Sequence, residues 1–163
     1  MSERARYFRK AFFIAFALLV ADQLSKEWLL DMLYSRGEAI PLLPFFKLVM
    51  VWNQGVSFGL FAGDSMWHQA MLIAVAVVII GFLLVWLWQT PRMFTAIAIG
   101  SVIGGAVGNI IDRVRFGAVA DFFYFHYEEW YWPAFNIADS AIFIGVVLLC
   151  WESMVNPSEK NEE

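Results

Sequence analysis

The chain carries a single cysteine, Cys150, so it closes no disulfide within itself. That residue sits in the apolar run 145–151, reads as a small buried hydrophobe, and has no neighbouring base to make it a thiolate nucleophile. Histidine is almost as scarce. His68 and His126 lie far apart, in no H-E-x-x-H or comparable ligand spacing, which argues against a zinc protease. Charged residues make up only 16% of the chain and sum to −4. They form no basic stripe suited to phosphates, so nothing points to a nucleic-acid partner. Internal repeats and low-complexity tracts are also missing.

What is present in excess is apolar surface. Hydrophobic residues account for 61% of 163 and mean hydropathy is +0.63, against about 45–50% apolar in ordinary globular domains. Eight tryptophans and 18% aromatics suit a protein with membrane–water interfaces. Four segments approach the roughly 20 residues needed to cross hydrocarbon: about 11–30, 70–88, 93–111 and 136–151. The middle two are free of charge and are joined through Thr90, Pro91 and Arg92. The first meets Asp22, Lys26 and Glu27; the last contains Asp139 near its start. A charge in mid-membrane costs at least about 2.5–3.5 kcal/mol, so such residues usually serve a function or reach water.

Arg4, Arg6, Arg9 and Lys10 precede the first span, which places the N-terminus in the cytoplasm by the positive-inside rule. Arg92 agrees, and four spans return the C-terminus to the same side. A cleaved signal peptide is the competing reading of the first span; it is set aside because the span runs on through charges without a convincing cleavage site. In this topology Asp22 falls roughly 17 Å outward along the first span. Asn109, Asp112 and Arg113 end the third, and Asn136 and Asp139 begin the fourth. The unusual polar residues therefore converge on one layer near the outer leaflet.

The fold expected is an all-α membrane protein of four transmembrane helices, with a small extracytoplasmic β element between helices 1 and 2, inside 31–69, where 45–52 is rich in β-formers. Residues 1–155 form one domain, 156–163 a disordered cytoplasmic tail, and 128–133 an interfacial aromatic belt.

Three blocks carry chemistry. In 104–113, Gly104 and Gly108 make a small-xxx-small face for close helix approach. Asn109, Asp112 and Arg113 follow at helical spacing, with Asp112 and Arg113 able to neutralise one another or to clamp helices. In 117–123 and 133–139, Asp121 and Asp139 each stand alone among apolar and aromatic residues. Asn136 is placed to cap the fourth span. Two carboxylates close together in a dry site share a proton, one acting as base and the other as acid; ion-pair or capping roles are the plainer alternative for each. The string Gly55-Val56-Ser57-Phe58-Gly59 matches G-x-S-x-G, but the α/β sheet that such a nucleophile elbow needs has no room here.

Taken together the blocks resemble the lipoprotein signal peptidase (signal peptidase II) family. Asp22-Gln23-Leu24-Ser25-Lys26, the block opening at Asn53, the Gly-Gly-Ala-x-Gly-Asn-x-x-Asp-Arg run from Gly104 to Arg113, Val119-x-Asp121-Phe122 and Phe135-Asn136-x-Ala138-Asp139 follow in order. The resemblance implies a metal-free, cofactor-free aspartyl endopeptidase of the bacterial inner membrane. Asp121 and Asp139 take the catalytic positions, and Asp22, Asn53, Asn109, Arg113 and Asn136 the polar positions around the pocket. Its substrates would be prolipoproteins carrying a diacylglyceryl cysteine, cut just before that cysteine. Membrane lipid surrounds it, and no obligate protein partner is implied. A small transporter or proton-pathway subunit is the leading alternative, because intramembrane acids also mark proton relays. A lipoprotein-binding scaffold is a third.

Overall fold

The computed structural model describes residues 3–55 and 66–156. Four helices and four strands follow in the order α1 (Glu3–Arg36), β1 (Ile40–Leu43), β2 (Phe46–Asn53), α2 (Met66–Gln89), α3 (Met93–Phe116), β3 (Val119–Tyr127), β4 (Trp130–Tyr131) and α4 (Ile137–Val155). Three helices, α2, α3 and α4, are long and apolar enough to cross a membrane. At 34 residues α1 is the longest, about 50 Å at 1.5 Å per residue, but charges divide it. All four run beyond the expected spans, and α1 continues as helix to Arg36.

α3 is the central helix. Its glycines set the packing distance on two sides. A Cβ on Gly104 would stand 2.5 Å from the Ala15 carbonyl oxygen of α1, and one on Gly105 would collide with the Ala138 carbonyl oxygen of α4. Gly108 leaves room for the Asp22 carboxylate, which a Cβ would meet at 2.6 Å. Toward the α2 side, Ala11, Leu83, Leu87, Ala96, Ile99 and Val102 close an apolar core.

The strands form one antiparallel sheet in the order β1-β2-β3-β4. The expected small β element between the first two helices is present as β1 and β2, and the sheet extends beyond it. Only half the strands come from there; β3 and β4 come from the segment joining α3 to α4. Pairing of Val51 with Asp121 and of Asn53 with Val119 links the two segments. Leu29, Leu30 and Leu33 of α1 pack on Leu48, Ala120 and Phe122, fixing the sheet to α1.

Cys150 is exposed rather than buried. In a membrane helix an apolar run marks a lipid-facing surface as readily as a core, so its neighbours gave no information about burial. The expected tail lies outside the described residues from 157 onward, as do Val56, Ser57, Phe58 and Gly59 of the G-x-S-x-G string.

Candidate active site

Local chemistry brings Asp121 to Asp139. α3 ends at Gly117, whose φ of 70° is the left-handed geometry that glycine adopts without strain; its N–H donates to the Arg113 carbonyl at 3.0 Å. The chain then turns directly into β3, with Asp121 two residues past the strand's first. Phe135 ties down the other side. Its carbonyl accepts from the N–H groups of Phe122 (3.1 Å) and Phe123 (2.9 Å), and its own N–H donates to the Phe123 carbonyl at 3.1 Å. The next residue, Asn136, caps α4. Its Oδ1 accepts from the Asp139 N–H at 2.8 Å, while Asp139 Oδ2 accepts from the Asn136 N–H at 3.3 Å, a capping box.

Each carboxylate is held by amides. Asp121 accepts from Asn136 Nδ2 at 2.7 Å and from Asn53 Nδ2 at 3.0 Å. Asp139 Oδ1 accepts from Asn109 Nδ2 at 2.8 Å. Asn136 Nδ2 also reaches the Ala120 carbonyl and Asn109 Oδ1, so one amide touches both halves of the site. Burial, and after it the neighbouring Asp139 carboxylate, push the Asp121 carboxyl up to about 7, against the lowering pull of Asn53, Asn136 and the Lys26 cation.

Behind the pair lies a buried ionic cluster. Lys26, 3% exposed, stands 2.8 Å from both Asp22 and Asp112, which are 0% and 1% exposed. Asp22 Oδ1 accepts from the Ala138 N–H at 2.9 Å and so helps to satisfy the first turn of α4. Asp112 Oδ2 accepts from the Ala120 N–H at 3.2 Å, beside Asp121. Gln23 Nε2 reaches both carboxylates. The expected mutual neutralisation of Asp112 and Arg113 is corrected here: adjacent helical residues diverge, so Asp112 turns to Lys26 while Arg113 donates to the Gly55 carbonyl at 2.9 Å. Lys26 and Gln23 took no role from sequence. The signal available was the i,i+4 spacing of Asp22 and Lys26, but the partner that buries the lysine is on α3.

Asp139 opens into a groove of about 800 Å³ between α4 and the aromatic segment before it, lined by Phe125, Trp132, Phe135, Phe143 and Ile144 among others. Its walls are almost wholly apolar and carry one acid. Among the described residues no three His, Cys, Asp or Glu side chains gather as metal ligands.

A helical membrane frame that holds two interacting aspartates on amide donors, one of them opening into an apolar groove, suits an aspartyl peptidase. The model of the family described as signal peptidase (SPase) II matches residues 14–155. Named lipoprotein signal peptidases are among the relatives. One from Azoarcus sp. (strain BH72) is 43% identical over 151 residues, covering 91% of this chain and 85% of that protein. Another, from Beijerinckia indica subsp. indica, is 41% identical over 143 residues, with 87% and 86% covered. A bacterial membrane enzyme solved by the in meso method at 2.3 Å resolution superposes with a TM-score of 0.78 at 27% identity, covering 94% of this chain and 92% of that one. The chain belongs to the signal peptidase II family.

Proposed function

We propose that Asp121 and Asp139 are the catalytic pair with which this enzyme removes signal peptides from prolipoproteins. The observation that carries the reading is the amide cradle: Asn136 donates to Asp121 through its side chain and to Asp139 through its backbone, so two acids from separate elements share one support. In such a pair one carboxyl keeps its proton and the other is ionised. The ionised member takes a proton from water, the hydroxyl adds to the scissile carbonyl, and the protonated member donates to the carbonyl oxygen. The member that took the water proton then gives it to the amide nitrogen, the C–N bond breaks as the carbonyl re-forms, and the other member recovers a proton from the intermediate's hydroxyl, which restores the pair and releases the signal peptide.

The substrate carries a diacylglyceryl cysteine and is cut just before it. The apolar groove at Asp139 supports this reading, since lipid chains and the greasy end of a signal peptide both match its walls. The protein is one domain, 1–155, in the bacterial inner membrane. α1 makes a fourth span, both termini are cytoplasmic, and the active site lies near the outer leaflet. Asp22, Asn53, Gly104, Asn109, Asp112, Arg113 and Asn136 support the site. Membership of a peptidase family favours this reading over a transporter or proton-pathway subunit.

The test is a gel-shift cleavage assay on diacylglyceryl-modified prolipoprotein. Asp121→Asn and Asp139→Asn are nearly isosteric, yet neither can act as base or deliver a carboxylic proton. Each is expected to lose at least about 10²–10⁴-fold, the usual worth of general acid–base assistance, while still inserting and binding lipidated substrate. Near-normal turnover in either variant would refute the assignment.

A further inference from the structure

Lys26 is a cation sealed inside a membrane protein, and the two carboxylates that neutralise it do not exhaust its donors. An ammonium offers three N–H groups and no acceptor. Asp22 and Asp112 each take one at 2.8 Å. The third points to Asn109 Oδ1 at 3.4 Å, the oxygen that also receives Asn136 Nδ2 at 3.4 Å. The opposite end of the same amide, Asn109 Nδ2, donates to Asp139 at 2.8 Å. Turning that amide over would set its NH2 against an ammonium and a second NH2, and would offer Asp139 an oxygen in place of a donor. With Lys26 in place only one orientation is open.

We propose that Lys26 is a positioning residue for the cleavage reaction, fixing the Asn109 amide so that its NH2 faces Asp139. The proposal rests on the reading of Asp121 and Asp139 as the catalytic pair. An ion pair kept only to hold α1 against α3 would need some acceptor for the third N–H; what a purely structural role leaves unexplained is that the acceptor chosen is the amide whose other end donates to a reacting group. The charged groups bearing on Asp139 are Lys26 and Asp22 of α1, Arg113 of α3 and Asp121 of β3, with Asp112 of α3 facing Lys26 from behind.

Lys26→Met alone would leave two buried carboxylates facing each other without a cation, which is strongly destabilising. The informative variant is Lys26→Met with Asp112→Asn. Removing one charge of each sign leaves the net charge of the cluster unchanged, and Asp22 keeps the Ala138 N–H and Gln23 as donors. The assay is cleavage of diacylglyceryl prolipoprotein across pH. Expected is a fall in kcat on the order of tenfold or more, within the range of general acid–base assistance, with KM little changed. The acid limb of kcat/KM should move to higher pH by about one unit, because the ionised pair has lost an assured donor and a nearby cation. Adding Asn109→Ala to this variant should cost little beyond Asn109→Ala alone, since both act through one amide. A wild-type acid limb and kcat, or losses that simply add, would overturn the proposal. So would failure of the double variant to insert and bind lipidated substrate, since Lys26 would then serve the fold. Active Asp121→Asn or Asp139→Asn would instead strike at the catalytic pair itself.

Discussion

Asp121 is a carboxyl withdrawn from water, 1% exposed, and set beside a second acid. Both conditions favour the protonated form, which is why its titration is carried up to about 7 despite two amide donors. This has a consequence for stability separate from catalysis. The unfolded chain releases this proton near 3.8, while the folded protein holds it to about 7. Between those values the native state binds more protons than the unfolded one, so stability contributed at this site is full at low pH and declines as pH rises through that window. Asp121→Asn removes the titration. Thermal unfolding in detergent should therefore show the variant gaining on the wild type as pH rises from 4 to 8. A constant difference across that range would mean that Asp121 titrates as an ordinary carboxylate. The two aspartates were legible in the sequence because each is a lone acid in apolar surroundings. Lys26 was not, because a lysine between Asp22 and Glu27 looks like a span meeting its interface. Only the fold shows that Asp112 closes over it.

Among the elements, α3 does most to bring the site together, because its small residues let two other helices approach. The glycines are not equivalent. Gly105 faces the backbone of α4 at Ala138, where no side chain can move aside, and that carbonyl lies one residue before Asp139. Gly81, on α2, has nothing within 4 Å of where a Cβ would stand. Gly105→Ala is expected to destabilise by about 1–3 kcal/mol, as overpacking typically does. It should also lower cleavage more than its loss of folded protein explains, because pushing α4 outward stretches the Asn109–Asp139 hydrogen bond. Gly81→Ala should keep wild-type turnover and be at least as stable as the wild type, since alanine is the better helix former. Parallel unfolding and turnover assays decide the matter, and equal tolerance at the two positions would count against tight packing of α3 on α4. The helices were readable from hydropathy and the glycine face from its spacing. The sheet was readable only in part. The run from Val119 to Tyr127 has no alternation of polar and apolar residues, and its partner strand, β2, lies before α2. Pairing over that sequence distance leaves no local pattern.

The molecule has two chemically distinct ends. At one lie the basic start of α1, the α2–α3 connection and the end of α4. Phe8 packs edge-on against Trp88 at 6.1 Å, and Arg92 meets Glu152 at 3.1 Å. At the other lie the sheet, the two aspartates and a tip of exposed aromatics, with Trp130 82% and Tyr127 70% exposed. An amphipathic ring with one wet edge suits the headgroup level. Arg4, Arg6, Arg9 and Lys10 favour the cytoplasmic side for the first end; in the topology proposed above, the aromatic tip and the proposed catalytic pair then face the far side, where an exported and lipidated substrate would arrive. Since α2, α3 and α4 can each cross hydrocarbon, this orientation holds only if α1 crosses as well, its mid-membrane charges answered by Lys26 between Asp22 and Asp112 rather than by water. Paired reporter fusions test this. A fusion following α4 should be active with a reporter that works in the cytoplasm, and one inserted at Glu128–Glu129, in the turn between β3 and β4, with a reporter that works only outside. If the fusion after α4 were active only outside, α1 would not span in the proposed sense, and the placement of the catalytic pair near the outer leaflet would fall with it.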